Sequence, residues 1–260
     1  MEYDKHFSFG KNWKSFNKKN NTVLKNKAEE DMKFFLGDIS NKSFIDIGSG
    51  SGIHSLSALK LGVGELVATD YDNDSIDATN KLLSESDFKN KKYLVFQDDI
   101  LNTNIERKFE IVYSWGVLHH TGNMWKAIDN SIKMVDQNGI YYISIYVKNR
   151  FCGIWAKIKK TYTYGGVLTK ILMSLIWYPM HFLRKVINGS LFKDQGRGML
   201  WFYDSRDWLG GYPYESATKE EIIDYVEKKG FKILKTRNVD PSFGIFGSGC
   251  ADYVFEKKET

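Results

Sequence analysis

The amino-acid sequence predicts an α/β fold: a seven-stranded, mostly parallel sheet with helices on both faces and an inserted helical cap. Three observations predict it. From about Ser43 onward, apolar runs bounded by turn residues alternate with segments of helical periodicity, which is the pattern of parallel strands joined by crossover helices. Seven runs have strand character. The alternation is interrupted once, between Lys148 and about Tyr214, by a stretch of different composition.

Each element has its own signal. "KSFIDIGSGSG" reads as a first strand ending in a glycine-rich turn, and "IHSLSALKLG" sets Ile53, Leu56, Leu59 and Leu61 at roughly helical spacing before Gly62 closes it. "GELVATDYDNDSIDATNKLL" repeats the unit: a strand ends at Asp70, a polar turn follows, and Ile76, Ala78, Thr79, Leu82 and Leu83 mark a helix face. "KKYLVFQDDI" and "KFEIVYSWGV" are the next strands, each ending in polar residues. A helix over Met124–Val135 and the strand "GIYYISIYV" complete the alternating part. Beyond the interruption, "TKEEIIDYVEKKG" has helical spacing and a terminal glycine, and "FKILKTRNV" and "ADYVFEKK" are two further strands. The expected organisation is an N-terminal helical lid segment over 1–42, a core made of 43–147 and 215–260, and an inserted cap over 148–214 that contacts the acceptor.

Composition narrows the function classes. The 260 residues are 42% apolar and 27% charged, which suits a folded globular protein and argues against disorder. Two distant cysteines, Cys152 and Cys250, make neither a disulfide framework nor a metal spacing, so no metal is expected. The opening "MEYDKHFSFGKNWKSF" lacks the apolar stretch of a secretory signal, which points to a cytoplasmic protein. The net charge of +5 is local: between Lys148 and Lys193 there are nine Lys or Arg and no Asp or Glu. That segment also holds Trp155, Tyr162, Tyr164, Trp177, Tyr178 and Phe182, and its longest uncharged run, Ile171–Leu183, is too short to span a bilayer and contains Pro179.

The chemistry begins at "DIGSGSG", Asp46 to Gly52. Ligands of a parallel sheet sit beyond the carboxyl ends of the strands, where glycines let backbone approach them closely. A dinucleotide fingerprint would be GxGxxG, and Ile53 stands where its third glycine should be, so hydride chemistry is disfavoured. Asp70, which ends the second strand, is an acceptor-only carboxylate suited to a ribose diol. A ribose without a pyrophosphate is implied.

Taken together, "FIDIGSGSG", "VATDYD", "FQDDIL" and "FEIVYSWGVLHHTG" resemble the four successive motifs of class I S-adenosylmethionine-dependent methyltransferases, in order and over roughly Ser43–Val147. The resemblance implies a Rossmann-like fold, S-adenosyl-L-methionine as cofactor and methyl transfer as the reaction. It assigns cofactor-binding roles to Asp46, Gly48, Gly50 and Gly52 at the glycine turn, and to Asp70 at the ribose with Tyr71 beside the adenine. Asp99 and Ile100 would bind the adenine edge, and Ser114 and Trp115 would face the methionine moiety. "HFSFGKNWKSF" and "RGMLWFYDSRDWLGGYPYE" look like the flanks of a bacterial subgroup similar to ubiquinone-type and sugar-type O-methyltransferases. Where that subgroup has "WHD" this chain has "FYD", which makes Tyr203 a candidate in place of a histidine.

A hydroxyl acceptor needs a base within hydrogen-bond reach, and histidine has the appropriate unperturbed pKa of about 6.5. His119 and His120 are therefore the catalytic candidates, together with Tyr203. Adjacent residues point in different directions, so one of the two histidines would face the acceptor while the other packs. The expected acceptor is a sugar-like, glycan or small aromatic hydroxyl compound, with Asp204, Asp207, Trp208, Tyr212, Tyr214 and Glu215 suited to a polyol. The basic aromatic stretch 148–193 suggests peripheral contact with a membrane, at its inner face, or with a lipid-linked substrate. Nucleic acid is disfavoured by the modest overall charge and by "SWGV" after the fourth strand. The rival readings are an RNA or protein methyltransferase and a non-catalytic cofactor-binding regulator.

Overall fold

The run Ser43–Ile47 forms strand β1 and is buried from Phe44 onward, as expected of a strand covered on both faces. It lies at the centre of a computed structural model that describes residues 22–187, 208–238 and 249–258. The other strands are β2 (Glu65–Asp70), β3 (Tyr93–Gln97), β4 (Phe109–Trp115), β5 (Val135–Tyr146), β6 (Phe231–Arg237) and β7 (Cys250–Lys257). Their spatial order is β3-β2-β1-β4-β5-β7-β6. Strands β1 to β5 pair in parallel, and β7 runs antiparallel to both β5 and β6. The seven-stranded, mostly parallel sheet read from the sequence is the one observed. At the outer position β3 alternates between half-buried and exposed residues, and Leu94 faces solvent.

Helices α1 (Thr22–Leu36), α2 (Ile53–Lys60) and α3 (Asn73–Ser84) cover one face of the sheet, burying Met32, Phe35, Leu56, Leu59 and Leu83 against Phe44, Tyr113, Tyr142 and Val254. Helices α4 (Met124–Lys133) and α7 (Lys219–Glu227) cover the other, burying Ala127, Ile128, Ile222 and Val226 against Ile45, Val112, Tyr141 and Ile143. Helix starts follow their caps. Asp72 accepts from the Asp74 amide at α3, and at α7 the Thr218 hydroxyl and the Glu221 carboxylate each accept from the other residue's amide. The 22–36 part of the expected lid segment is a layer of the core, with Met32 and Phe35 almost fully buried; the lid reading for residues 1–21 falls outside the described residues.

An ionic network around the buried Asp252 ties α1 to the sheet. Arg237 on β6 donates from Nε to Asp252 Oδ2 at 2.8 Å and from Nη1 to Asp31 Oδ1 at 2.8 Å, while the Tyr142 hydroxyl donates to Asp252 Oδ1 at 2.9 Å. Asp252 is only 3% exposed, so its charge depends on these donors. Removing one member of such a group leaves an uncompensated charge, and breaking buried pairs costs about 3–5 kcal/mol. Arg237→Ala should therefore lower the unfolding free energy by about 3 kcal/mol, read from urea denaturation, since the guanidinium is itself part-exposed.

Between β5 and α7 the chain inserts helices α5 (Cys152–Tyr164) and α6 (Val167–Ile187). They build their own core from Trp155, Tyr162, Trp177, Leu209 and Tyr214, joined to the sheet through Tyr146 and Cys250. The insertion leaves and rejoins the sheet at one place, where Val147 and Ala217 form a parallel bridge and the Lys148 amide donates to the Ala217 carbonyl at 2.9 Å.

Candidate active site

In this strand order the chain goes outward from β1 to β3 and then returns to place β4 on the other side of β1. The loops leaving β1 and β4 therefore diverge, and a crevice opens at the carboxyl ends of the strands. The glycine turn occupies it. Gly48, Gly50 and Gly52 all have positive φ, at 79°, 55° and 81°. The Gly48 and Ser49 amides both donate to the Thr69 carbonyl at 2.8 and 2.9 Å, locking the turn to the end of β2. A Cβ on Gly48 would sit 2.4 Å from Val117 Cγ2, and one on Gly52 would sit 2.9 Å from the Thr79 Cα. The turn is thus pressed between the β4 loop and α3, with no room for a side chain at Gly48 or Gly52. Gly52→Ala adds left-handed strain of about 1–2 kcal/mol to a clash with backbone. A loss of about 2–3 kcal/mol is expected in thermal or denaturant unfolding.

Asp70 closes the turn from β2. Its Oδ2 accepts from the Gly50 amide at 2.9 Å and its Oδ1 from the Asp72 amide at 2.9 Å, so both oxygens are held facing the crevice and each retains acceptor capacity. Burial pushes its pKa up to about 6, against the opposing pull of the Asp72 and Gly50 amides. Asp46 lies beneath the turn, 2% exposed, with the Ser55 hydroxyl donating to Oδ2 at 2.6 Å. Burial pushes it up to about 7, and the Asp70 charge adds to the effect. Two carboxylates held back from ionising beside one glycine turn form a site short of positive charge and of hydroxyl donors. A ligand with a cationic centre and a ribose diol supplies both.

The remaining expected cofactor residues divide. Tyr71 is exposed at the β2 exit, and its carbonyl accepts from Gln97 Nε2 at 2.9 Å. The Asp99 carboxylate is already engaged in its own loop, accepting from the Leu101 amide at 2.9 Å and from Asn102 Nδ2 at 2.8 Å. Its neighbour Asp98, whose amide donates to the Asp70 carbonyl at 3.1 Å and whose pKa is raised by burial, was not singled out from sequence. The Ile100 side chain is buried in the core under α4, so it presents backbone only. Ser114 has no exposed surface, and its hydroxyl donates to the Ile47 carbonyl at 2.9 Å, stitching β1 to β4; the expected contact of this side chain with a methionine moiety gives way to that bond. Trp115 stands at the strand end, its ring 5.2 Å from that of His54. Burial lowers the His54 pKa to about 4, so this ring is neutral.

The two histidines separate in the structure. They lie in a short 3₁₀ turn, Leu118–His120, just beyond β4. His119 has no exposed surface and packs its ring 4.1 Å from Tyr146. His120 is part-exposed, and its Nδ1 lies 2.7 Å from the Pro213 carbonyl. A carbonyl only accepts, so in the neutral ring Nδ1 carries the proton and Nε2 is the acceptor nitrogen. Tyr203 lies outside the described residues, as do Asp204 and Asp207.

The expected polyol aromatics are largely spent on packing. Trp208 sits edge-on to Trp155 and Tyr146, and Tyr212 and Tyr214 are at most 9% exposed. Lys159, buried completely, lies 3.8 Å from the Trp208 ring and 5.0 Å from that of Tyr214, and donates to the Trp208 carbonyl. Such a cation–π arrangement is stronger away from water. Glu215 joins the insertion to the β4 loop: its amide donates to the His119 carbonyl at 2.9 Å and its Oε2 accepts from the Met124 amide at 2.9 Å. Burial raises its pKa to about 7, against the Met124 and Gly122 amides. Sequence gave it only a generic polar role, because its placement depends on a contact across 91 positions of chain.

A mostly parallel sheet with one reversed strand, a glycine turn at its switch point and a buried aspartate ending β2 make an α/β domain without a pyrophosphate fingerprint. Comparison with known proteins makes the class specific. Residues 45–141 match the family model described as a methyltransferase domain. A ribosomal protein L11 methyltransferase of Fusobacterium nucleatum is 27% identical over 148 residues, covering 57% of this chain and 46% of that protein. The chain thus spans less than half the length of this curated relative. Among solved structures, magnesium protoporphyrin IX methyltransferase from Synechocystis with bound SAH superposes with a TM-score of 0.57 at 14% identity, covering 91% of this chain and 84% of that one. An S-adenosyl-L-methionine-dependent methyltransferase structure from Methanococcus maripaludis gives 0.56 at 15% identity, covering 100% and 98%. Residues 45–141 thus match a methyltransferase domain, and the fold is the one these S-adenosylmethionine-dependent methyltransferase structures share.

Proposed function

We propose that this protein transfers the methyl group of S-adenosylmethionine to a hydroxyl of a small acceptor, sugar-like or aromatic, held between the glycine turn and the α5–α6 insertion. The observation that carries the acceptor reading is His120 at the β4 exit. The Pro213 carbonyl fixes its tautomer, leaving an acceptor nitrogen on a part-exposed ring at the carboxyl edge of the sheet. The bound cofactor supplies a methyl group already activated on a sulfonium, so the protein's part is largely positioning and exclusion of water. Asp70 accepts from the ribose hydroxyls, Asp46 and the Gly48–Gly52 backbone hold the methionine end, and the β3 exit at Asp98–Ile100 lines the base. His120 Nε2 relieves the acceptor hydroxyl of its proton. The aromatic core of the insertion keeps competing water from that edge.

The reading is tested by incubating the protein with methyl-labelled cofactor and separate arms of monosaccharides, sugar nucleotides, catechols and purified ribosomal protein. Label appearing as an alkali-stable methyl ether supports it. Transfer to protein nitrogen in the ribosomal arm, with none to any hydroxyl compound, would overturn it in favour of a protein methyltransferase. Cofactor binding without turnover in any arm would favour a non-catalytic regulator.

A further inference from the structure

Helix α6 is inverted relative to a surface helix. Its inward row is narrow: Met173, Trp177 and His181 recur every fourth residue, with Trp177 5.0 Å from Trp155 and stacked on His181 at 5.4 Å. The arc opposite that row should be polar in a globular protein. Instead it presents Leu168, Leu172, Leu175, Ile176 and Leu183, between 53% and 71% exposed. A shallow groove lined by Val167, Lys170, Ile171, Ser174, Leu175 and Tyr178 runs along its first half. Scattered surface leucines are ordinary, but an outward apolar stripe running from Leu168 to Leu183 along one helix marks a binding surface.

The charge pattern identifies what binds. Across 148–193 there are nine basic residues and no acidic one; exposed Lys170 lines the groove, and exposed Arg150, Lys157 and Lys160 lie on and just before the preceding helix α5. Among the described residues no helix is long and apolar enough to cross a membrane, so the match is to a helix lying in the plane of a bilayer surface. We propose that the outward face of α6 seats this protein on an anionic membrane surface, with the leucine stripe among the acyl chains and the basic residues at the headgroups. The proposal is independent of the acceptor assignment, because it concerns a surface remote in sequence from the glycine turn and is read without turnover.

The test is co-sedimentation of the full chain with vesicles of phosphatidylglycerol and phosphatidylcholine, compared with phosphatidylcholine alone. The wild type should partition at least about tenfold more strongly to the anionic vesicles, and raising salt from about 0.1 to 0.5 M should reduce binding severalfold as the screening length shrinks. Leu175→Glu/Ile176→Glu should abolish partitioning. Lys157→Ala/Lys160→Ala/Lys170→Ala should remove the anionic preference. All these side chains are exposed, so unchanged circular dichroism and thermal midpoint will show that the variants fold. Failure of the wild type to sediment with anionic vesicles overturns the proposal, whether the stripe is then found to mediate a concentration-dependent dimer or to be shielded from solvent labelling by residues 188–207. Sedimentation unchanged in the Leu175/Ile176 variant overturns it equally.

Discussion

Asp70→Asn should weaken S-adenosylmethionine binding by roughly a hundredfold in titration calorimetry, and lower the unfolding free energy by about 1–2 kcal/mol because the Gly50 or the Asp72 amide then faces an NH2 in place of an acceptor. Asparagine keeps an oxygen and the side-chain shape but offers one acceptor where the carboxylate offers two. The Gly50 and Asp72 amides already claim one lone pair on each carboxylate oxygen. Losing charge-assisted acceptance of a ribose diol is worth about 3 kcal/mol, and each 1.4 kcal/mol is about tenfold in affinity. The same group gives a pH dependence. With its pKa raised to about 6, Asp70 is increasingly protonated as pH falls through 6, and the protonated acid is the poorer acceptor. Affinity should therefore be constant above about pH 7 and fall by up to tenfold per pH unit below 6 in the wild type. In Asp70→Asn that dependence should be shallower, with only the Asp46 contribution remaining. A variant that binds as tightly as the wild type would remove Asp70 from the ribose site.

The second large effect concerns the paired histidines, whose replacement should have opposite signatures. His120→Gln should lower kcat by about 10²–10³ while leaving cofactor affinity and thermal stability nearly unchanged, because general bases contribute about 10²–10⁴ and an amide cannot take the proton. At saturating cofactor the acidic limb of the kcat profile should vanish with it. His119→Ala should act on stability: a ring with no exposed surface, packed 4.1 Å from Tyr146, leaves a cavity on removal worth about 2–4 kcal/mol. Equal loss of kcat in both variants, with pH profiles preserved, would show that neither nitrogen handles the proton.

The stability profile carries a further sign. Asp46 and Glu215 both have folded pKa values raised to about 7 by burial. Folding therefore favours their protonated forms. The resulting stabilisation is fully present below their unfolded values near 4 and is lost as pH rises through 7.

The sheet was legible because its strands are buried on both faces, so Phe44–Ile47, broken only by Asp46, and Leu66–Ala68 read as apolar runs between turn residues. The glycine turn and Asp70 were legible for a local reason: both lie within Asp46–Asp72, on two successive strand ends, even though Thr79 and Val117 close around them from further along the chain. What the sequence concealed depends on meetings between distant segments. Nothing local tells that Trp208 and Tyr214 enclose Lys159 in place of a sugar, or that Arg237 reaches Asp31 on a helix 206 positions away. The direction of His120 depends in the same way on Pro213, 93 positions later. Ser114 shows the opposite error. Its position at the strand end was right, but strand alternation turned its hydroxyl inward to Ile47.

The Val147–Ala217 bridge gives the insertion a narrow base. Among the described residues the insertion leaves and rejoins the sheet at adjoining positions, sealed by the Lys148–Ala217 and Ala217–Tyr146 backbone bonds and by the Glu215 and Pro213 contacts with the β4 loop, while the glycine turn and Asp70 belong wholly to the other part of the chain. If the insertion holds the acceptor as proposed, the two halves of the chemistry are separable units of inheritance. An ancestral gene could exchange the hanging module for another and acquire a new acceptor without disturbing the cofactor half, and an engineer could graft at the same two positions.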